Sequence, residues 1–499
     1  MCTRLFYFPY SFLVFFLLKT TVLFSQNKND QFITLEQFGV AANGKDETTA
    51  ILKAFQYAKM NKKAIHLLNE KIYIFSPDYT VDITGIPAIL GKGTFDLSKT
   101  GKNAGNPSMT SIFQVTGSKK LLQRSVTGIR QNESKLKLAA GLKLAKGDIL
   151  FFSSTEKLAN TKRAYYAKGQ RAVVKSYDAA NGMLMIEDVF FYNIQQAFVW
   201  LNNEMPKIQI GTGVGFITSP MNFMACFKLQ YAEGDISGYY RNFALSAIMF
   251  SSSQGVVNNM EADLPVTDNN GYSYCIVAND MSDITIKNCS LTGGRHVISG
   301  GGGGLWKLEE SHGGGGNVAY PSIISIDGGL YKGSKNVLNI NADNATIDSH
   351  GVVEKMVIKN CTIYGGVNLG ANFVEVENVT VYADSKRAFN VGSDVLPGSD
   401  WGTYKISNVK IIWDKANKNS MFLSKADVRE IALDNVFISN ISTETLLMDF
   451  ALEAPKKIFI NRLFTGLVAP VKAMRINKSG HLVISNSQIS KESVQRTGQ

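Results

Sequence analysis

Lys355-Met-Val-Ile-Lys-Asn360-Cys-Thr-Ile363 consists of a short alternating strand, an asparagine and a second short strand. Val374-Glu-Val-Glu-Asn378-Val-Thr-Val381 repeats this pattern. The later copies are spaced by 30, 27, 26 and 25 residues, counted between the asparagines at Asn378, Asn408, Asn435, Asn461 and Asn486. Short strands at this period, with almost no helical stretch, predict an all-β parallel solenoid in which each coil buries its apolar face against its neighbours. Asparagine suits the turn because it tolerates left-handed backbone angles.

The beginning of the chain differs from the repeats. Residues 50–60 form an amphipathic helix by their apolar spacing, and residues 64–68 and 71–75 alternate as strands. This opening resembles that of the pectate-lyase-like superfamily, which implies a right-handed parallel β-helix with an N-terminal capping helix. We expect one such domain over residues 26–499, with a small antiparallel β insertion at about 130–200 and a Gly-rich loop at about 300–320.

Residues 1–25 have the features of a cleaved signal peptide, with Arg4 ahead of the apolar run Leu5–Leu18. That run is too short to span a membrane. We therefore expect a secreted, monomeric protein with no membrane partner. The formal net charge of +11 favours an anionic partner. A nucleic acid is not expected, because the sequence has no basic helix, zinc-ligand spacing or RNA-binding signature. The cysteines that follow the turn asparagines, Cys289 and Cys361, are expected to be buried free thiols.

Glu261 and Asp263 are the strongest candidates for chemistry. Aligned on the asparagine turn, Met260 and Ala262 face inward, so both acids share the outer face of one strand. Residues two apart on a strand lie about 6.6–6.8 Å apart, which falls within the carboxylate separation of about 6.5–9.5 Å typical of inverting glycosidases. Solvated surface acids would show the same pattern, but the other coils carry no acidic pair at these positions.

Three of the five histidines, among them His296 and His350, follow within the next coils. Glu261-x-Asp263 with His296 on a β-helix resembles the ι-carrageenases of glycoside hydrolase family 82, which are exported, inverting endo-hydrolases of a sulfated galactan. The resemblance implies that Glu261 is the general acid, that Asp263 is the general base and that His296 assists at the site. It covers most of the chain as architecture, but its specific motif is limited to these residues.

An anionic sulfated polysaccharide requires cations and stacking surfaces along the groove. Candidates for contacts with this substrate are Arg241, Arg295, His350, Tyr274 and Trp306. The chemistry requires no cofactor. The resemblance implies a structural Ca²⁺ or Na⁺ and a glutamine that holds a chloride beside the catalytic water. At the matching level residues 236–239 are Ile-Ser-Gly-Tyr, so a chloride site is not expected, and no metal ligands are assigned.

Three other functions remain open on the sequence. A polysaccharide lyase would use a Lys or Arg base and usually Ca²⁺ held by acids on consecutive coils, and a polygalacturonase-like hydrolase would use a triplet of aspartates. Neither arrangement is found in the repeat alignment. A non-catalytic, tailspike-like or adhesive solenoid would bind carbohydrate without cleaving it.

Overall fold

The computed structural model describes residues 31–100, 111–158, 165–220, 224–265, 273–300, 319–333, 345–349, 353–384, 386–393, 395, 402–424, 426, 428–442, 444–451, 454–466, 474–477, 480–489 and 493–497. Within these residues the chain forms one α-helix, α1 (Thr48–Asn61), a short 3-10 helix (Leu35–Phe38) and 42 strands.

The strands fall into four stretches of the chain. The N-terminal coils contain β1 (Phe32–Ile33), β2 (Ala64–Leu67), β3 (Ile72–Ile74), β4 (Val81–Asp82), β5 (Ala88–Gly91), β6 (Thr94–Asp96) and β7 (Ser111–Thr116). The insertion contains β8 (Ser118–Val126), β9 (Lys135–Lys137), β10 (Ile149–Lys157), β11 (Ala167–Asp178), β12 (Met183–Ile186) and β13 (Ala197–Glu204). The middle coils contain β14 (Lys207–Ile210), β15 (Gly215–Ile217), β16 (Ala225–Gln230), β17 (Glu233–Ile236), β18 (Tyr239–Arg241), β19 (Ser246–Ser251), β20 (Gln254–Asn258), β21 (Glu261–Leu264), β22 (Tyr274–Asn279), β23 (Asp283–Lys287), β24 (Ser290–Gly293), β25 (His296–Gly300), β26 (Ser322–Asp327), β27 (Leu330–Lys332) and β28 (Ile347–Asp348). The C-terminal coils contain β29 (Val353–Lys359), β30 (Thr362–Tyr364), β31 (Val367–Leu369), β32 (Ala371–Glu377), β33 (Thr380–Ala383), β34 (Phe389–Val391), β35 (Thr403–Trp413), β36 (Phe422–Ser424), β37 (Glu430–Ser439), β38 (Met448–Phe450), β39 (Lys457–Thr465), β40 (Met474–Asn477), β41 (His481–Ser485) and β42 (Val494–Thr497).

The coils stack as the repeat predicts. In a coil such as β20-β21-β22, the strands before and after the asparagine turn, β20 and β21, belong to a 23-stranded sheet. The third strand, β22, belongs to a 13-stranded sheet. Successive coils pair in parallel, β18 with β21 and β21 with β24. The chain is therefore the parallel β-helix that the sequence predicts, with its core inside the coils.

The turn between the first two strands of each coil explains the repeated asparagine. Asn259, Asn288, Asn360, Asn378, Asn408, Asn435 and Asn486 all have left-handed backbone angles, with φ between 47° and 55°. Neighbouring turns are joined through their amides, since Asn435 Nδ2 donates to Asn408 Oδ1 at 2.7 Å. The prediction was wrong at Asn461, because Arg462 takes the left-handed position there (φ 54°). Arg462 then binds Asp434 of the coil below.

An aromatic column fills the N-terminal half of the core. The rings of Phe95 and Phe216 stack with centroids 5.7 Å apart, and those of Phe216 and Tyr240 stack at 5.3 Å. The helix α1 closes this end, with Phe55 packed edge-on against Phe95. Capping is required because the first coil would otherwise expose its core. Further along, Cys289 and Cys361 are buried and free, as the sequence predicts.

The insertion is a six-stranded antiparallel sheet in the order β8-β13-β10-β11-β12-β9. It runs from Ser118 to Glu204, wider than the interval of about 130–200 expected from the sequence. Arg171 of β11 pairs with Asp283 of the solenoid at 3.3 Å. Tyr192 donates a hydrogen bond to the buried Glu354 carboxyl group of β29. These polar contacts fix the insertion against the strands that precede the asparagine turns.

Candidate active site on the outer face of β21

The strand β21 carries both candidate carboxylates outward. It alternates strictly, with Glu261 and Asp263 exposed and Ala262 and Leu264 buried. The left-handed turn at Asn259 fixes this phase, because a shift of one residue would turn both acids into the core. The inward positions predicted for Met260 and Ala262 are confirmed.

Neighbouring coils place polar side chains on both sides of the two acids. Glu261 lies between Tyr239 and Ser290 in the ladder, and Asp263 lies between Arg241 and Thr292. These side chains surround an open depression whose floor is Tyr240 and Ala262. Neither carboxylate makes a hydrogen bond or ion pair with any residue that the structure describes, so both are available to an incoming ligand.

Arg241 and Tyr239 form one wall of the depression. The Arg241 guanidinium carbon lies 6.0 Å from the centroid of the Tyr239 ring, and the Tyr239 hydroxyl bonds to Thr94 Oγ1. The ring lies across Gly215, where a Cβ atom would come within 2.0 Å of Tyr239 Cζ. Gly215, one coil away, is therefore required for this wall to form. The wall places the Arg241 guanidinium group beside Asp263.

His296 lies in a different part of the coil. It begins β25 in the 13-stranded sheet and is fully buried. Its Nδ1 lies 2.5 Å from the carbonyl oxygen of Ala345, and its Nε2 lies 3.0 Å from Asp348 Oδ2. Tyr274 stacks on the imidazole with ring centroids 5.9 Å apart. The structure therefore does not bring His296 or Tyr274 into the lining of the depression.

Asp348 extends this buried contact along the solenoid. Asn368 Nδ2 donates to Asp348 Oδ1 at 3.1 Å, and Asn390 Nδ2 donates to Asn368 Oδ1 at 2.6 Å. The result is a polar chain across four coils of the 13-stranded sheet, from Asn390 to His296. This polar chain was not predicted from the sequence, where the one signal for it was the short segment that contains both Asp348 and His350.

The remaining predicted residues are placed as follows. Arg295 is half-buried at the corner between β24 and β25, where its backbone N–H donates to the Ser273 carbonyl at 2.9 Å. His350 and Trp306 lie outside the described residues, as does most of the predicted Gly-rich loop. Ser290 and Thr292, which sequence analysis did not select, line the depression. The coil alignment could have found them, since they are the ladder partners of the two acids.

In the described ranges, no three His, Cys, Asp or Glu side chains are grouped so that they could hold a metal ion. The one α-helix found there is not long and apolar enough to cross a membrane.

Comparison with known proteins places the fold. No protein-family model matches the sequence, and no curated protein matches it. The chain is similar to the tailspike gp49 of Pseudomonas phage LKA1, with a TM-score of 0.63 and 13% identity over 94% of this chain and 81% of that one. It is also similar to the tailspike gp54 of Acinetobacter baumannii bacteriophage AP22, solved in complex with capsular saccharide, with a TM-score of 0.62 and 14% identity over 94% of this chain and 77% of that one. At these identities the likeness shows a shared parallel β-helix.

Proposed function

We propose that the chain is a secreted endo-acting glycoside hydrolase that cleaves β-1,4 linkages of a sulfated galactan, ι-carrageenan, with inversion. The observation that carries this proposal is the pair of open carboxylates, Glu261 and Asp263, two residues apart on one strand beside Arg241. The saccharide-bound tailspike of the same fold supports a polysaccharide as the ligand. Secretion is part of the proposal and rests on the signal-like residues 1–25.

The geometry suggests how a polymer would lie. Strands run across the solenoid, so Glu261 and Asp263 belong to two parallel rows of side chains that follow the solenoid axis. A sugar chain along the axis above Ala262 would have one carboxylate on each side. This is the disposition that inversion requires, because acid and base must act on opposite faces of the sugar ring.

In the proposed reaction Glu261 donates its proton to the glycosidic oxygen as the bond from C1 to that oxygen breaks. A water molecule attacks C1 from the opposite face and transfers a proton to Asp263. Solvent then restores the starting protonation of both groups. Arg241, the ladder neighbour of Asp263, provides a bidentate donor for a sulfate group.

A second candidate function is a carbohydrate-binding solenoid without catalysis, which the tailspike solved with its saccharide favours. A third, the lyase, would leave an unsaturated sugar at the new chain end. One assay separates the three functions.

Purified protein is incubated with ι-carrageenan, with other algal galactans and with uronate polymers, and both reducing ends and ultraviolet absorbance are followed. We expect reducing ends from ι-carrageenan without absorbance. Absorbance on a uronate would establish a lyase and remove the role assigned to Glu261 and Asp263. If neither signal appears on any polymer while calorimetry shows that one of them binds, the protein is a binding solenoid without catalysis.

A further inference from the structure

The row of side chains that contains Asp263 continues well beyond the depression. Ladder pairing joins Arg241, Asp263, Thr292, Lys332, Tyr364 and Tyr382 in consecutive coils. At about 4.8 Å per coil this row extends about 24 Å along the solenoid axis. A polymer lying over the carboxylate pair would therefore also pass Lys332 and the two tyrosines.

The tyrosines present their edges rather than their faces. The rings of Tyr364 and Tyr382 are parallel within 4° and 4.4 Å apart, and Lys332 Nζ lies 5.4 Å from the centroid of the Tyr364 ring. Both faces of Tyr364 are therefore covered, which excludes sugar stacking on this ring. Neither phenol hydroxyl makes a hydrogen bond with the described part of the chain, so both are available as donors to an oxyanion.

A second lysine reaches the same place from a later coil. Lys386 is only 8% exposed, and its side chain passes two glycines. A Cβ atom built on Gly365 would lie 3.8 Å from Lys386 Cδ, and one built on Gly333 would lie 3.5 Å from Lys386 Nζ. The side chain thus runs past both glycines at van der Waals distance, which brings its ammonium group to the residue that follows Lys332.

Lys386 is a cation that pairs with no anion among the described residues. Its ammonium group has no ion pair or hydrogen bond with any residue that the structure describes, and burial lowers its pKa to about 8. Buried charges in proteins are normally paired, because an isolated charge loses its hydration without compensation. An anionic ligand would supply the missing partner.

We propose that Lys332, Lys386, Tyr364 and Tyr382 form an anion subsite that binds a sulfate group of the polysaccharide, two to four coils from the catalytic pair. The inference rests on the proposed function, since the polymer that crosses Asp263 is the ligand. These residues would raise the affinity for the substrate and make that affinity depend on oligosaccharide length, and they would take no part in the reaction. A long oligosaccharide reaches both sites, whereas a short one reaches only the depression.

The test measures binding by calorimetry in the catalytically silenced Glu261→Gln protein, with ι-carrageenan oligosaccharides long enough to span the row and short enough not to. Lys386→Met keeps an unbranched side chain of nearly the same length and removes the buried charge, so we expect stability to be retained or raised. We expect long oligosaccharides to bind roughly tenfold more weakly, with short ones unaffected. Lys332→Met and the double change Tyr364→Phe, Tyr382→Phe should each give a smaller loss of roughly threefold.

Lys405→Met is the matched control, because Lys405 is exposed on the other side of the Asn408 turn and outside the row. Unchanged affinity in Lys386→Met and Lys332→Met, with tight binding in the parent, would overturn the subsite and leave the proposed function standing. Equal losses in Lys405→Met would also overturn it, since the effect would then be general charge. No binding to the Glu261→Gln parent, with no hydrolysis by the unmodified protein, would overturn both.

Discussion

Two pairs of side chains, the acids Glu261 and Asp263 and the buried Asp348 with His296, have opposite environments. Glu261 and Asp263 are exposed on β21 and make no hydrogen bond or ion pair with any described residue, whereas Asp348 is buried against His296 and accepts a hydrogen bond from Asn368. The polar atoms of the buried pair bind residues of neighbouring coils. The carboxylate oxygens of the exposed pair are available to a ligand. In the 13-stranded sheet these polar side chains join neighbouring coils, whereas the acids on the outer face of β21 are exposed.

The largest expected effect is on the exposed pair. Glu261→Gln and Asp263→Asn should each lower turnover about 10³-fold, because each removes a proton donor or acceptor from the transition state. Since both side chains are exposed, the melting temperature should not change. Reducing-end release and thermal unfolding measure the two quantities. Asp235→Asn, an exposed acid before the turn, is the control, and a mutant of either candidate with more than a few per cent activity would remove that residue from the mechanism.

The buried pair should show the opposite behaviour. Asp348→Asn replaces the carboxylate that contacts His296 Nε2 and accepts from Asn368 inside the 13-stranded sheet, which should destabilise the protein by about 2 kcal/mol. Urea unfolding at neutral pH measures this loss, with Glu261→Gln as the unaffected comparison. If Asp348→Asn abolished turnover while unfolding at the same urea concentration, the buried pair would belong to the reaction and the division between the two pairs would be wrong.

Glu354 extends the comparison to a buried carboxyl that contacts the insertion. Burial raises its pKa to about 7, although Tyr192 and Asn372 both donate hydrogen bonds to it. The folded state therefore keeps this proton between about pH 4.5 and pH 7 while the unfolded chain loses it, so the contribution to stability falls as the pH rises through that window. Glu354→Gln should flatten this part of the profile of melting temperature against pH. An unchanged profile would show that Glu354 is ionised in the folded protein.

The smallest expected effect concerns the exposed turns. Asn435→Ala forces an alanine into a left-handed turn (φ 54°) and removes the amide bond to Asn408, at a cost of about 1 kcal/mol. Asn435→Gly removes the same bond without the backbone strain and should recover most of the loss. Equal destabilisation by both substitutions, measured by urea unfolding, would mean that the amide ladder and not the backbone angle dominates.

Most of the fold could be predicted from the sequence repeat, because strand alternation and the asparagine turn depend only on residues close together in the chain. The repeat correctly gave the outward phase of Glu261 and Asp263 and the buried Cys289. It failed at Asn461, where Arg462 takes the turn and binds Asp434, since an asparagine one position early looks the same in the sequence. The partner of His296 could not be inferred, because Asp348 is 52 residues away and meets it through the stacking of coils.

The place of Lys386 beside the row of Asp263 could not be predicted from the sequence either. Its side chain passes two glycines and ends beside an earlier coil, a path set by three-dimensional packing alone. The sequence showed the lysine and the glycines, but nothing local connected them with the row of Asp263.

The anomeric form of the first product tests the central claim most directly. Proton NMR recorded immediately after ι-carrageenan is mixed with the enzyme distinguishes the two anomers before they interconvert. Cleavage of a β-linkage by Glu261 and Asp263 on opposite faces of the sugar predicts the α-anomer first. The β-anomer would show retention and would contradict the assignment of acid and base to two side chains on one strand.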